Sequence, residues 1–210
     1  MSGAMGRGAD ALVGALRAAG VTRIFSLSGN HVMPVYDALI GSGIALVHTR
    51  HEAAAVHMAD AWARVSGEVG VALVTGGPGH ANAVSALYTA LMAEAPVLLL
   101  SGHAPNAQLG RGAFQEMRQA EMAAPVAKAA WTCAGPDQVA ADLARALRIA
   151  RSGRPGPVQL NLPGDALEQG TTAETPPPAA FAPAPMPLAA ADARAALEFL
   201  AAAARPLIVA

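Results

Sequence analysis

The chain has 210 residues, of which 53% are hydrophobic and only 14% are charged, and its formal net charge is −1. This length allows one complete domain and part of another, and the composition allows a large buried core. The near-zero charge gives no basic field for nucleic acid or an anionic membrane, and the single cysteine, Cys133, excludes an internal disulfide and a thiolate zinc cluster. The amino terminus lacks the apolar core of a signal peptide, so we expect a soluble cytoplasmic protein.

Short apolar runs alternate with segments of helical periodicity along most of the chain. Strands are predicted at 21–27, 44–49, 69–75, 96–101, 126–132 and 157–162. Helices are predicted at 9–19, before the first strand, and between later strands at 34–40, 51–66, 80–93 and 136–151. This alternation predicts an α/β fold with an open parallel sheet covered by helices on both faces, because strands buried on both faces consist of nearly continuous apolar residues.

The alternation stops after residue 169. Residues 170–189 are rich in proline and alanine and predict an extended linker. A helical segment then precedes a predicted strand at 205–210. We therefore expect one domain over 1–169, a linker over 170–189, and the start of a second, truncated α/β domain over 190–210.

Three loops with unusual residues follow neighbouring predicted strands. They contain Ser28-Gly29-Asn30-His31, Arg50-His51-Glu52 and Gly76-Gly77-Pro78-Gly79. A fourth loop, with Phe114, follows the strand at 96–101. Ligands bind open parallel sheets at the carboxyl ends of the strands, so these loops are the candidate site.

Glu52 begins a predicted helix directly after a strand, among alanines. A zinc-protease motif fits poorly, because the residue four positions after His51 is Ala55 and the next histidine is His57. One interpretation is an acid that the helix macrodipole stabilises by roughly 0.3–1 kcal/mol. The other is a carboxyl group in an apolar pocket, which shares a proton with a ligand nitrogen. Position alone leaves both open, and we expect Met58 and Trp62 of the same helix to lie in the core.

The turn from Gly76 to Gly79 also has two interpretations. It could hold a phosphate at a helix amino terminus, although it lacks the Lys-Ser/Thr of a P-loop and the G-x-G-x-x-G spacing. It could equally be a tight strand-to-helix turn with a proline near the first helical position. The sequence pattern does not separate them.

Several segments together resemble the pyrimidine-binding domain of thiamine-diphosphate enzymes, in the acetolactate synthase-like group. The main ones are RHEAAAVHMADAWAR, VTGGPGHANAVSALYTALM and GAFQEMRQAEMAAPVAKAAW. GVTRIFSLSGNHVMPVYDAL and ARSGRPGPVQLNLPGD extend the resemblance in the same order, so that it covers about residues 8–168. The combination of Arg-His-Glu, Gly-Pro-Gly and Phe-Gln-Glu is specific, and the last residues resemble the opening of the family's central domain.

The resemblance implies roles for residues of all four loops. Glu52 matches the glutamate that hydrogen-bonds the pyrimidine N1′ of thiamine diphosphate, where the shared proton favours the imino tautomer that removes the thiazolium C2 proton. Gln115 would orient that glutamate. The residues expected to pack around the pyrimidine are Thr75, Gly76, Gly77, Pro78, Gly79 and Asn82. Those expected on the substrate side are Gly29, Asn30, His31, Phe114 and Lys128.

Three departures from the family pattern limit what can be carried over. The family's Pro-Gly-Gly after the first strand is Ser28-Gly29-Asn30 here, which changes the substrate side. Synthases that keep FAD have an arginine where this chain has Ala124, so FAD is doubtful. The Gly-Asp-Gly motif that holds magnesium does not occur, since Gly164-Asp165 continues with Ala166. Magnesium is therefore expected only from a later domain, and no metal ligand is assigned in this chain.

The resemblance thus implies the N-terminal part of a thiamine-diphosphate-dependent carboligase or decarboxylase of 2-oxo acids. We expect this fragment to be inactive alone, and the enzyme to be a homodimer or homotetramer with its active site at a subunit interface. One alternative is a separately encoded subunit of a split decarboxylase. Another is a non-enzymatic binding module on the same fold.

Overall fold

The computed structural model of the protein describes residues 6–208. Six parallel strands form one sheet in the order β3-β2-β4-β5-β7-β6, and two short strands, β1 and β8, pair antiparallel beside it. The strands are β1 Gly6–Arg7, β2 Arg23–Ser26, β3 Ala45–His48, β4 Gly70–Val74, β5 Val97–His103, β6 Ala129–Thr132, β7 Val158–Pro163 and β8 Gly170–Thr171. The predicted parallel sheet is confirmed, with each of its six predicted strands present.

Helices connect the strands. They are α1 Gly8–Ala18, α2 Met33–Leu39, α3 Glu52–Ser66, α4 Pro78–Met92, α5 Gln119–Ala123, α6 Val139–Arg151, α7 Gly164–Glu168 and α8 Ala190–Ala202. The five predicted helices correspond to α1, α2, α3, α4 and α6. The short helices α5 and α7 are not anticipated, because five residues are too few to show helical periodicity.

The sheet separates two hydrophobic cores, so the α/β arrangement with both faces covered is confirmed. Alternate residues of the central strands point to opposite faces. Leu73, Leu98 and Leu160 pack with α1, α2 and α6 on one face. Ala72 and Leu99 pack with α3 and α4 on the other. Each fully buried leucine contributes about 1.5–3 kcal/mol, so these strands fix the positions of the loops at their carboxyl ends.

Helix α3 is well delimited at both ends, which fixes where Glu52 lies. The His51 side chain accepts a hydrogen bond from the Ala53 backbone amide at 3.1 Å and caps the amino terminus. Gly67 ends the helix with φ at +75°, a left-handed conformation that favours glycine. The prediction that Met58 lies in the core is wrong, because six residues from Glu52 turn it away from the buried face of the helix and leave it exposed. Trp62 is partly buried against the core.

The segment after residue 169 is only partly extended. Residues 170–171 form β8, and the 3₁₀ turn Pro178–Phe181 brings the Phe181 ring into the core beside α6. The predicted helix is present as α8 and has no buried residue. Residues 205–208 form no strand, and the rest of the strand predicted at 205–210 lies outside the described residues. The assignment of a linker and a second domain stays a prediction.

None of the helices found between residues 6 and 208 has the length and apolar character that crossing a membrane requires.

Candidate functional site

The candidate site lies at the carboxyl edge of the sheet, next to the crevice between β2 and β4. The chain leaves β2 through α2 on one face of the sheet and returns from β3 to β4 through α3 on the other face. The connections therefore diverge at this crevice, which is the usual ligand position in open α/β sheets. The loops after β2, β3 and β4 meet there, as the sequence predicts.

Glu52 is the first residue of α3, and its side chain is nearly buried at 9% exposure. The Asn82 side-chain amide donates a hydrogen bond to Glu52 Oε2 at 3.0 Å. The other oxygen, Oε1, lies 3.1 Å from the point that a Cβ at position 79 would occupy. One carboxylate oxygen is thus oriented by Asn82, while the other faces the glycine turn between β4 and α4.

The three glycines of the turn from Thr75 to Gly79 are packed too closely to accept a side chain. Gly77 has φ +60° and ψ −119°, a conformation available to glycine. A Cβ on Gly79 would lie 2.7 Å from Thr75 Cγ2, and one on Gly77 would lie 2.7 Å from Gln115 Cβ. The glycines therefore allow neighbouring groups to approach the backbone beside Glu52.

The geometry favours the tight-turn interpretation over a phosphate site. The Gly77 backbone amide donates to Gln119 Oε1 at 2.7 Å, and Pro78, the first residue of α4, has no amide proton. The backbone nitrogens of Gly77 and Pro78 are therefore unavailable as hydrogen-bond donors to a phosphate. The residues present suit a flat heterocycle better than an anion.

Gln115 and Phe114 lie over the turn. Gln115 adopts φ +56°, and its backbone and Cβ pack against Gly77. Among the described residues, the hydrogen bond to the Glu52 side chain comes from Asn82 and none comes from Gln115. The orienting role expected of Gln115 thus receives no support from this geometry. Phe114 is 68% exposed, and its ring stacks on His31 with a centroid distance of 5.9 Å.

The loop after β2 reaches the same turn. A Cβ on Gly29 would lie 2.4 Å from Thr75 Cβ, and His31 Nδ1 lies 3.2 Å from Thr75 Oγ1. Burial lowers the pKa of His31, and nearby His103 acts in the same direction, so the imidazole is favoured in its neutral form. Asn30 is exposed at the start of a 3₁₀ turn. Of the five residues expected on the substrate side, Gly29 and His31 lie against Thr75, while Asn30 and Phe114 line one pocket together with His31.

Lys128 is the exception. It precedes β6 and so lies at the amino edge of the sheet, opposite Glu52. Its ammonium group donates to the backbone oxygens of Ile149 at 2.6 Å and Ser152 at 2.5 Å, at the end of α6. Desolvation lowers the pKa of Lys128. The contacts of this lysine stabilise a helix end, and the structure does not bring it together with the other site residues.

Sequence reasoning misses a buried polar network under the turn. Gln119 bonds Gly77 and Asn161, while His80 Nδ1 lies 2.9 Å from Ser101 Oγ. Burial lowers the pKa of His80 to about 4. In the sequence, Gln119 follows the polar residues Glu116 and Arg118 and therefore resembles an ordinary surface position.

The residues around Glu52 fit the aminopyrimidine part of thiamine diphosphate. A ring nitrogen needs a carboxyl partner, which Glu52 offers, and a flat ring needs backbone without side chains, which the glycine turn offers. Among residues 6–208, no three His, Cys, Asp or Glu side chains come together to hold a metal ion, and Asp165 accepts from the Asn106 backbone amide at 3.0 Å. The expectation that magnesium comes from elsewhere stays a prediction, as does the doubt about FAD.

Comparisons with known proteins identify the family to which the chain belongs. Residues 6–122 match the family model described as thiamine pyrophosphate enzyme, N-terminal TPP binding domain. The chain is 42% identical over 159 residues to a probable acetolactate synthase large subunit of Methanocaldococcus jannaschii. It is 44% identical over 162 residues to the acetolactate synthase isozyme 3 large subunit of Escherichia coli, and 44% identical over 160 residues to 2-hydroxyacyl-CoA lyase 2 of Danio rerio.

These three matches each cover 76% of this chain but only 27%, 28% and 26% of the respective relatives. The chain therefore spans about a quarter of the length of the curated relatives that it matches.

Proposed function

Because this chain belongs to the thiamine pyrophosphate enzymes, through an N-terminal TPP-binding domain resembling that of acetolactate synthases, we propose that it supplies the aminopyrimidine half of an active site. The reaction proposed for the complete enzyme is decarboxylation of a 2-oxo acid, followed by carboligation or protonation. Since the chain spans about a quarter of its relatives, that activity belongs to a longer protein or assembly.

The arrangement of Glu52, Asn82 and the glycine turn is the observation that supports the proposal. Asn82 occupies one oxygen of the carboxyl group, so the other oxygen is left to share a proton with a ring nitrogen placed over Gly79. A helix-capping acid alone would not need a side-chain donor from a second helix. Thiamine diphosphate, when bound, would supply a carbon nucleophile, and Glu52 would hold the proton at pyrimidine N1′ that this activation requires.

The surrounding residues would bind and orient the ring. Thr75, Gly76, Gly77, Pro78 and Gly79 would form its backbone support, with Gln115 packed above the turn. His31 and Phe114 would line the substrate side, because their rings stack and His31 Nδ1 lies 3.2 Å from Thr75 Oγ1. A cavity of about 220 Å³ on this side is lined by Asn30, His31 and Phe114, and also by the acidic residue Glu168.

A second candidate substrate is a 2-hydroxyacyl thioester. It is favoured by the 44% identity to 2-hydroxyacyl-CoA lyase 2, which equals the identity to the Escherichia coli synthase isozyme. The change from the synthase-type Pro-Gly-Gly to Ser28-Gly29-Asn30 lies on the substrate side and fits a substrate other than pyruvate. Carbon–carbon cleavage and ligation use the same cofactor chemistry in opposite directions, so Glu52 would have the same role in both.

The remaining parts of the site would come from outside this chain. We propose that magnesium, the diphosphate contacts and the second face of the pocket belong to a later domain and to a second subunit, in a cytoplasmic homodimer or homotetramer. This fragment alone would then be inactive. The segment 170–189 would link it to a central domain that begins near residue 190.

Substrate panels on the enzyme purified from its natural source test the proposal. The purified protein should require thiamine diphosphate and release CO2 from one or more 2-oxo acids, or cleave a 2-hydroxyacyl thioester. Its intact mass should exceed the 21.1 kDa of this chain, unless a separately encoded partner supplies the other half. Thiamine diphosphate binding without either reaction would favour a non-enzymatic module.

A further inference from the structure

Gln119 connects three segments beneath the glycine turn. Its side chain is 1% exposed, and its Oε1 accepts from the Gly77 backbone amide at 2.7 Å. Its Nε2 donates to the Gly102 backbone oxygen at 3.0 Å and to Asn161 Oδ1 at 2.6 Å. The two acceptors and one donor around the amide fix its orientation. If the amide were flipped, its nitrogen would face the Gly77 amide and its oxygen would face the two acceptor oxygens.

His80 provides a second connection between the same elements. His80 Nε2 donates to the Gln119 backbone oxygen at 3.0 Å, so Nδ1 of the neutral ring accepts from the Ser101 hydroxyl. His80 lies on the first turn of α4, directly after Gly79. The residue Gln119 therefore holds the start of α4 at two points, one through its side chain and one through its backbone.

The start of α4 in turn carries two residues that lie against the Glu52 side chain. Gly79 lies against Oε1, and Asn82 donates to Oε2. We propose that Gln119 is a positioning residue, whose amide sets the Gly76–Gly77 turn at the height that places Gly79 and Asn82 against Glu52. The inference rests on the proposed function, because it assumes that the aminopyrimidine binds over this turn.

Neither a glutamate nor an apolar residue can replace this amide. A glutamate at 119 would place a second acceptor against Gly102 O and Asn161 Oδ1. A methionine would remove the acceptor of the buried Gly77 amide and a donor to Gly102 O, and would leave Asn161 Oδ1 with Gln159 as its donor. Gln159 offers a matched control. It is fully buried on β7, and its Nε2 donates to the same Asn161 Oδ1 at 2.7 Å. Among the described residues, its side chain bonds no atom of the glycine turn.

Amide hydrogen exchange of Gly77 tests the proposal in the full chain. Wild-type Gly77 should exchange at least about 100-fold more slowly than in an unstructured peptide, because its proton is buried and bonded. Q119M should lose most of this protection, whereas Q159M should keep it even if both variants unfold more easily. An unprotected Gly77 amide in the wild-type chain would overturn the proposal, as would equal protection in Q119M and the wild type.

The second readout is the thiamine diphosphate dissociation constant of the complete enzyme, measured where each variant is fully folded. Q119M and the isosteric Q119E should raise it about tenfold or more, and Q159M by less than about twofold. Equal effects of Q119M and Q159M would reduce Gln119 to a structural role and contradict the proposal. If the wild-type enzyme binds no thiamine diphosphate, the proposed function fails, while Gly77 exchange still decides whether Gln119 fixes the turn.

Discussion

Substituting alanine at Gly79 should destabilise the protein, although the same substitution usually stabilises a helix. Alanine is favoured over glycine inside helices by up to about 1 kcal/mol. At position 79, however, the new methyl group would lie 2.7 Å from Thr75 Cγ2 and 3.1 Å from Glu52 Oε1. Forcing a methyl group into such a space costs typically about 1–3 kcal/mol. We expect a net loss of about 1–2 kcal/mol in the free energy of unfolding.

Gly14 on α1 provides the matched control. A methyl group there would lie 3.5 Å from Thr175 Oγ1, which is an ordinary contact. G14A should therefore stabilise the chain by about 0.5–1 kcal/mol. Urea unfolding of both variants should shift the midpoint in opposite directions, with the slope unchanged. Equal stabilisation by G79A and G14A would refute the close packing of the turn against Glu52.

Three further predictions concern residues around the site. The pKa of His80 is about 4 in the folded protein against 6.5 for the free side chain, so its stabilising contribution is present above pH 6.5 and is lost as the pH falls toward 4. Between these pH values, the free energy of unfolding of the wild type should fall by up to about 3 kcal/mol more than that of H80N. Equal losses in both proteins would contradict the burial of a neutral His80. N82A should raise the thiamine diphosphate dissociation constant of the complete enzyme about tenfold, whereas T89A on the exposed side of α4 should leave it unchanged. An unchanged dissociation constant in N82A would show that Glu52 needs no such donor. K128M should lower the free energy of unfolding of the chain by about 1 kcal/mol in urea titrations, because the end of α6 loses a charged donor. A loss of 2-oxo acid affinity without a loss of stability would favour the substrate-side role of Lys128 instead.

The sheet and the location of the site could be predicted because both depend on local patterns. Continuous apolar runs identify strands that are buried on both faces, and their alternation with helices leaves few possible topologies. Glu52 could be located because it follows one of these strands directly. Position alone leaves two interpretations of this residue open. The family resemblance favours the one in which its carboxyl group shares a proton with a ligand nitrogen.

Lys128 and Gln119 show what sequence patterns do not contain. Lys128 lies near the start of the strand predicted at 126–132, which already indicates the amino edge of the sheet. The sequence does not show that the backbone oxygens at the end of α6 lie beside it and need a donor. Gln119 occurs in a polar loop and resembles a solvated residue, yet its burial depends on contacts with Gly102 and Asn161, which are distant in the chain. Such tertiary burial of polar groups has no local signature.

The exchange rate of the thiazolium C2 proton of bound thiamine diphosphate tests the central claim most directly. In the complete enzyme, E52Q should slow this exchange by about 10²–10⁴-fold, because a glutamine cannot hold the proton at pyrimidine N1′. Proton–deuterium exchange followed by NMR after rapid acid quench measures this rate independently of the substrate. Slow exchange in E52Q, with the cofactor still bound, is the result expected from the geometry of Glu52 and the glycine turn. Exchange at the wild-type rate would contradict the assignment of Glu52 as the residue that activates the cofactor.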